Sequence, residues 1–234
     1  MNGRGKIMSY TTYTQARLDR KSSSRTSEPR YALRAPERQV AFRKDYIAEI
    51  KTSLVLRPCG SASSEVGYTI TYEDGTPAFT ATGRKYNGRS CRELRDASGL
   101  PLYDLNAKPL AHPLGWLLTL PGSKTDESII AKATPSLGWG SVHLNFSFQN
   151  GAAIDCKNEE DKKVKLSVKK HGEALAFFDV VDGNRRIADV RESITHNEKL
   201  ALMRSSRRGG HRPALDLIIA PGVDMSLVRS PNAL

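Results

Sequence analysis

The sequence has few cysteines, no long apolar run and no Cys-x-x-Cys pair. An odd number of widely spaced cysteines argues against a disulfide framework and a zinc ribbon, so we expect reduced, buried thiols at Cys59, Cys91 and Cys156. No window approaches the roughly 18 consecutive apolar residues of a membrane-spanning helix. The first residues also lack the apolar core of a secretory signal. These absences predict an intracellular protein without a transmembrane span.

Motifs for catalysis and metal binding are missing as well. Gly122-Ser123-Lys124-Thr125 has no glycine directly before its lysine, as a phosphate-binding loop requires. Gly138-Trp139-Gly140-Ser141 does not have the residue order of a nucleophile elbow. The five histidines show no ligand spacing. We therefore expect no enzymatic activity, no cofactor and no metal site.

The net charge of +11 is unevenly distributed along the chain. Residues 1–51 hold 12 Lys and Arg against 5 Asp and Glu, which is +7 of that total. Residues 1–38 are rich in Arg and Ser and have too few apolar residues to bury a core, so we predict a disordered basic tail. The folded domain then spans residues 39–234. The composition of the tail leaves mitochondrial targeting open.

From Thr52 onward the chain shows the pattern of short strands joined by tight turns. The clearest hairpin joins strands at 68–72 and 77–82 through Asp74-Gly75, residues that tolerate the positive φ of a hairpin turn. A second hairpin repeats this plan at 91–105 around the turn at 96–99. Two similar hairpins in succession predict an antiparallel meander.

Apolar and polar residues alternate most clearly at 142–149 and 163–169. The second of these strands should present a row of lysines to solvent. Further strands are predicted at 115–120, 129–134, 175–181, 187–190, 201–204 and 215–220. An antiparallel sheet of roughly ten to twelve strands usually closes or splits, and closure removes its exposed edges.

The C-terminal region adds an apolar helix start to this all-β pattern. The strand at 215–220 runs into Pro221-Gly222 and then into apolar residues up to Val228. A wide barrel is not filled by the side chains of its own strands alone. An apolar helix through its middle is one physical solution, and this segment is the one candidate that the sequence offers.

The chain resembles the LURP-one-related family, which shares the tubby C-terminal-like fold with tubby proteins and phospholipid scramblases. The resemblance covers roughly residues 52–229 and rests on four segments in order. These are Tyr68-Thr69-Ile70-Thr71-Tyr72-Glu73-Asp74-Gly75, Leu94-Arg95-Asp96-Ala97-Ser98-Gly99-Leu100-Pro101-Leu102, Lys108-Pro109-Leu110 leading to Trp116, and Ile219-Ala220-Pro221-Gly222-Val223-Asp224. The resemblance implies a twelve-stranded antiparallel barrel around a central apolar C-terminal helix.

Two features of this chain depart from these relatives. In the family the C-terminal helix is long, whereas Pro231 should end it here after about two turns. We therefore expect a shortened helix, from a truncated chain or in an incompletely plugged barrel. The acidic calcium segment and the cysteine-rich acylated stretch associated with scramblases are also missing.

Basic clusters are the one ligand-binding feature of the sequence. If strand pairing brings them together, they form a positive patch for lipid headgroup phosphates or nucleic acid. The residues are Lys163, Lys165, Lys169, Lys170, Arg185, Arg186, Arg207 and Arg208. Tubby domains bind phosphoinositides through a cationic barrel surface, so the resemblance favours lipid. A lysine-rich edge that only keeps the protein soluble is the alternative.

These observations predict a non-enzymatic, cytoplasmic adaptor that binds anionic phospholipid headgroups. Its partner would be an anionic membrane surface or another protein, and residence at a membrane or in the nucleus is left open. Two alternatives remain: a scramblase-like lipid-handling protein, and a nucleic-acid or transcription-associated binder that uses the basic tail. An unfamiliar enzyme site in a barrel cavity is a further possibility.

Overall fold

The computed structural model describes residues 32–59, 67–86, 89–108, 115–123, 128–138, 141–171, 177–193, 195–197 and 212–227. Twelve antiparallel strands account for most of these residues. They are β1 (Thr52–Cys59), β2 (Gly67–Tyr72), β3 (Pro77–Tyr86), β4 (Arg89–Asp96), β5 (Pro101–Lys108), β6 (Gly115–Thr119), β7 (Ile129–Gly138), β8 (Ser141–Gln149), β9 (Lys163–His171), β10 (Phe177–Asp182), β11 (Arg185–Glu192) and β12 (Leu215–Ile219).

The strands form one closed antiparallel barrel in which neighbours in sequence are neighbours in space. The last strand closes it on the first, with Leu54 of β1 opposite Leu217 of β12. The predicted all-β class, the meander and the twelve-stranded barrel are confirmed. The predicted strand at 201–204 lies outside the described residues.

Alternation along each strand decides which side chains fill the barrel. In β8, Leu144, Phe146 and Phe148 are buried, while Asn145 and Ser147 between them are exposed. Their cross-strand partners on β7 include Ala131 and Ala133, which are also buried. Small residues on β7 thus leave room for the rings of β8, and the inner faces of all strands join in one apolar core.

The predicted hairpin turns are present and share one end of the barrel. Gly75 and Gly99 have φ of 89° and 88°, which L side chains rarely adopt. In the second turn, one carboxylate oxygen of Asp96 accepts hydrogen bonds from the backbone N–H groups of Ser98 and Leu100, both at 2.9 Å. These local bonds fix the turn and with it the register of β4 against β5.

An N-terminal segment that the strand pattern does not predict closes this same end. We call residues 39–48 the strap. Phe42 of the strap packs its ring against three core rings, with centroid distances of 5.3 Å to Tyr103, 5.9 Å to Phe146 and 4.5 Å to Phe148. Tyr46, which ends the 3-10 helix Lys44–Tyr46, donates its hydroxyl hydrogen bond to Asp96 at 3.0 Å. The strap therefore covers one end of the barrel in addition to leading into β1.

The carboxylate of Asp224 holds the strap from the C-terminal side. It is fully buried, and one of its oxygens accepts hydrogen bonds from the N–H groups of Phe42 and Arg43, both at 3.0 Å. The other oxygen accepts from the N–H of Ser226 at 2.8 Å and from its hydroxyl at 2.7 Å. Burial raises the pKa of Asp224, and these donors act in the opposite direction by favouring the charged form.

A buried amide holds the strap from the other side. The oxygen of Asn150 accepts hydrogen bonds from the N–H groups of Ala41, at 3.1 Å, and Ala152, at 3.2 Å. Its nitrogen donates to the carbonyl groups of Gln39, at 2.8 Å, and Asp161, at 3.1 Å. All the hydrogen-bonding capacity of the amide is directed to backbone, so this side chain fixes the position of the strap with respect to β8 and β9.

The structure differs from the prediction after β12. Residues 223–226 form turns and two isolated bridges to the strap, and a helical turn is reached only at Leu227, whose N–H donates to the carbonyl of Asp224 at 3.1 Å. Their backbone donors are used by the strap, because Asp224 donates to the carbonyl of Val40 and Met225 donates to that of Tyr46, both at 2.9 Å. Residues 228–234 lie outside the described residues, so a shortened helix there stays a prediction.

Two smaller features are the acidic residues between β8 and β9 and the three cysteines. The acidic residues between β8 and β9 form a one-turn helix, α1 (Glu159–Lys162), which the side chain of Asn158 caps. Burial of all three cysteines is wrong: Cys91 is buried, but Cys59 and Cys156 are exposed. None of the three forms a disulfide.

The predicted boundary between tail and domain at residue 38 stays a prediction. Residues 1–31 lie outside the described part of the chain. Within the described part, contacts with the barrel begin at Leu33, which forms a bridge with Arg186 of β11, and continue with the N–H of Arg34, which donates to the carbonyl of Arg186 at 2.9 Å.

Replacing Asp224 with Asn should destabilise the barrel. The NH2 of the new amide would face N–H groups that now donate to the carboxylate, so donor would meet donor. Each buried polar group left without a partner costs about 1–3 kcal/mol. We expect a lower urea midpoint with an unchanged slope. Asp155→Asn is the matched control, since that side chain is 87% exposed. Equal stability of the two variants would contradict the role assigned to Asp224.

A methyl group at residue 151 should displace the strap. A Cβ added at Gly151 would lie 2.2 Å from the carbonyl oxygen of Phe42. Because that oxygen belongs to the backbone, the clash can be relieved only if the backbone moves. We expect Gly151→Ala to cost about 1–3 kcal/mol, the usual range for overpacking. Ser147→Ala on the exposed side of β8 is the control. Thermal unfolding measures both, and a Gly151→Ala variant as stable as wild type would show that the strap is loosely held.

Candidate anion-binding surface

Three of the predicted lysines share the outer face of β9. Lys163 and Lys165 are exposed and Lys169 is half-buried, while Val164 and Leu166 between them point into the core. Successive outward residues on a strand lie about 7 Å apart. The alternation in the sequence therefore predicted the common face of these lysines correctly.

A fourth lysine extends this face across the sheet. Lys165 is the cross-strand partner of Ser147 on β8, and Ser147 is the partner of Lys132 on β7. Lys132 is exposed, and two strand spacings place its backbone about 10 Å from that of Lys165. We call Lys132, Lys163, Lys165 and Lys169 together the lysine face.

Lys132 was not among the predicted site residues. Its signal in the sequence is weak, because it is a single cation between Ala131 and Ala133 and not part of a basic run. The strand predicted at 129–134 includes it, but only the cross-strand register places it beside the lysines of β9.

The surroundings of the lysine face leave most of its charge uncompensated. Within the described ranges, no carboxylate forms an ion pair with Lys132, Lys163 or Lys165. The nearby acidic residues are used elsewhere: Asp161 lies 3.7 Å from Arg38, and Glu159 lies 2.7 Å from Lys162. Outward positions between the lysines are neutral and polar, at Asn145, Ser147, Gln149 and Ser167.

The charge decreases toward the far end of β9. Lys169 is the cross-strand partner of Asp179 on β10, which places a carboxylate in the neighbouring strand. Lys170 is the partner of Phe178 and so occupies the alternate register position from Lys169. The strand thus brings Lys163, Lys165 and Lys169 together and separates Lys170 from them in register.

The two predicted arginines of β11 already have protein partners. Arg185 lies 2.8 Å from Glu37 and also donates to the carbonyl of Ala35 at 3.3 Å. Arg186 is largely buried, with 15% of its side chain exposed, and lies 3.3 Å from Asp179 and 3.5 Å from Asp189. One guanidinium between two carboxylates adds no net positive charge to this surface.

The last features of this surface are the two remaining predicted arginines, one nearby aspartate and the possible metal ligands. Arg207 and Arg208 lie outside the described residues. At the edge of the basic region, burial raises the pKa of Asp182, although the charge of Arg38 acts in the opposite direction. In the described part of the chain, no three His, Cys, Asp or Glu side chains form a group that could hold a metal ion. Anion binding by the predicted residues stays a prediction.

Among the described helices, none has the length and apolar character needed to cross a membrane.

Comparisons with known proteins identify a family and similar solved structures. No curated protein matches the chain in the sequence comparison. An X-ray structure of a protein from Arabidopsis thaliana is similar with a TM-score of 0.48 and 16% identity, and the alignment covers 80% of this chain and 90% of that one. The sequence profile of the LURP-one-related family matches residues 52–230, which include all twelve strands. This protein therefore belongs to the LURP-one-related family.

Proposed function

We propose that this protein is a non-enzymatic adaptor that binds anionic phospholipid headgroups through its lysine face. The observation that supports the proposal is the group of exposed lysines on β7 and β9, which form no ion pair with a carboxylate among the described residues, although Glu159 lies close enough to Lys163 to feel its charge. The site lies on the rigid wall of the barrel, so its charges keep their spacing without help from a ligand.

The spacing of the lysines suits a membrane surface. Lys163 and Lys165 lie about 7 Å apart along β9, and Lys132 lies about 10 Å across the sheet. Cations at such distances can contact headgroups of neighbouring lipids at once. Each basic residue near an anionic leaflet contributes about 1 kcal/mol, and the attraction falls off within a Debye length. Binding should therefore weaken as the salt concentration rises.

The arginines of β11 contribute less in this proposal. Arg185 can join the surface if its ion pair with Glu37 opens, since both side chains are exposed. Arg186 keeps its carboxylate partners in the barrel wall and serves the fold. A cytoplasmic location at a membrane surface follows from the proposal and stands or falls with it.

A nucleic-acid binder is the second candidate, and the charge of residues 1–51 supports it. Twelve basic against five acidic residues give that segment a balance of +7. Affinity for nucleic acid would depend on the tail and would fall steeply with salt. Scramblase-like lipid handling has no comparable observation in its favour.

Neutralising the lysine face should abolish selective vesicle binding. We expect the full chain to sediment with phosphatidylcholine vesicles that contain a phosphoinositide. The triple change Lys132→Gln, Lys163→Gln and Lys165→Gln should weaken that binding by about 100-fold, at roughly 1 kcal/mol for each lysine. The matched control neutralises three exposed lysines elsewhere: Lys44→Gln, Lys51→Gln and Lys157→Gln.

Further results separate the candidates. Equal loss in both triple variants would show that only net charge matters and would contradict a specific face. No binding by the folded wild-type chain would also contradict it. Neutralising Arg17, Arg20, Lys21, Arg25 and Arg30 in the full chain should leave vesicle binding nearly unchanged. Loss of DNA or RNA binding in that variant, with no vesicle binding in wild type, would favour the nucleic-acid candidate.

A further inference from the structure

A basic hairpin lies at the end of the barrel opposite the strap. It joins the last residues of β3 to the first residues of β4 and spans residues 83–92, which we call the ribbon. These ten residues include four cations and no carboxylate. The cations are Arg84, Lys85, Arg89 and Arg92. Because β5 and β6 lie between β4 and β7, the ribbon is a concentration of positive charge separate from the lysine face.

The tip of the ribbon pairs with no other strand in the described part of the chain. On one side, the pairing of β2 with β3 ends at Ala81. On the other side, the pairing of β5 with β4 ends at Cys91, and β5 continues with β6 alone. The two arms of the ribbon stay paired with each other as far as Tyr86, which lies opposite Arg89. The tip is therefore a two-stranded β-ribbon with two edges that no described strand covers.

The register of the two arms places cations on both faces of the ribbon. Cross-strand partners lie on one face, and residues two apart along a strand share a face. Arg89 is the partner of Tyr86, so Arg84 and Arg89 share one face. Lys85 and Arg92 occupy the alternate register positions and share the other face. A flat surface such as a membrane meets one face at a time, whereas a groove with charge on each wall meets both.

Neighbouring residues add to the charge of the ribbon. Arg212, which precedes β12, lies close enough to Arg92 for the two positive charges to oppose each other. Lys108 ends β5, the strand next to β4. Glu93 follows the ribbon on β4, but its carboxylate forms an ion pair with Arg95, farther toward the strap. This side of the barrel end therefore favours an extended polyanion.

The dimensions of the tip match the major groove of B-form DNA. Beyond Cys91, two residues of each arm remain paired, which is about 7 Å of strand before the turn. The major groove of B-form DNA is about 12 Å wide and about 8.5 Å deep, and it admits a two-stranded β-ribbon. The major groove of duplex RNA is too narrow for side chains to read. Duplex DNA is therefore the polyanion that fits the tip.

From this geometry we propose that the ribbon enters the major groove of duplex DNA. Its cations pair with phosphates on both walls of the groove, with Arg84 and Arg89 on one face and Lys85 on the other. Phosphate contacts carry no sequence information, so affinity depends steeply on salt and little on base sequence. The ribbon lies on strands that the lysine face does not use, so this proposal does not rest on lipid binding.

Fluorescence anisotropy of a short labelled DNA duplex, titrated with the full chain at several salt concentrations, tests the proposal. We expect wild type to bind the duplex. The triple change Arg84→Gln, Lys85→Gln and Arg89→Gln should weaken binding about 100-fold or more at about 0.1 M salt. It should also lower the slope of log affinity against log salt by about 3, because each phosphate contact contributes about 0.9 to that slope.

Two further variants separate the ribbon from net charge and from a folding defect. The triple variant Lys44→Gln, Lys51→Gln and Lys157→Gln removes the same charge from exposed positions at the strap end, and it should keep the wild-type slope. Lys85→Gln alone should lower the slope by about 1 and leave thermal unfolding unchanged. A graded loss of this kind does not arise from a chain that fails to fold.

Several results would overturn the proposal. They are an absence of DNA binding by wild type, equal slopes in the ribbon variant and the strap-end variant, and equal affinity for duplex DNA and duplex RNA of the same length. DNA binding that is lost only when the basic residues of 1–31 are neutralised would belong to the tail. A ribbon variant that keeps DNA binding but loses vesicle binding would make the ribbon a lipid-binding element.

Discussion

The buried carboxylate of Asp224 is the constraint on which the closed end of the barrel depends. A wide barrel leaves its ends open unless some other segment covers them, and here the strap does so. The strap reaches its place because Asp224 accepts hydrogen bonds from two consecutive N–H groups, at Phe42 and Arg43, 182 and 181 residues away in sequence. Those bonds seat the ring of Phe42 among Tyr103, Phe146 and Phe148. One polar group thus organises an aromatic cluster.

The barrel wall could be predicted from the sequence, but its plug could not. Period-two alternation and Asp-Gly turns are local signals, so most strands and hairpins followed from them. β1 was not individually predicted, because three consecutive residues in it, Leu54, Val55 and Leu56, are buried and hide the alternation. The strap shows no repeating pattern, and its partners are remote. The apolar run after Pro221 suggested a helix start directly after the strand, but the N–H groups of Asp224 and Met225 donate to the strap, so the first helical turn is reached only at Leu227.

The same distinction applies to the candidate surface. Alternation alone placed Lys163, Lys165 and Lys169 on one face, since that property belongs to a single strand. Whether a cation is free depends on neighbouring strands and on the strap. Arg185 meets Glu37 and Arg186 meets Asp179 and Asp189 only because of the closed register and the path of the strap. Lys132 joined the face for the same reason. The sequence alone therefore suggested more uncompensated charge at Arg185 and Arg186 than the structure shows, and it did not identify Lys132.

Arg92 is the clearest exception to the pattern that builds this fold. Its cross-strand neighbours are Gly83 and Leu105, and Leu94 is the next inward residue on the same strand, so the guanidinium interrupts a wall without other charges at these positions. A local violation of a rule that the remaining strands obey is typical of a functional position. Arg92 is only partly buried, so its charge costs less than that of a fully enclosed cation, and the barrel wall tolerates this one interruption.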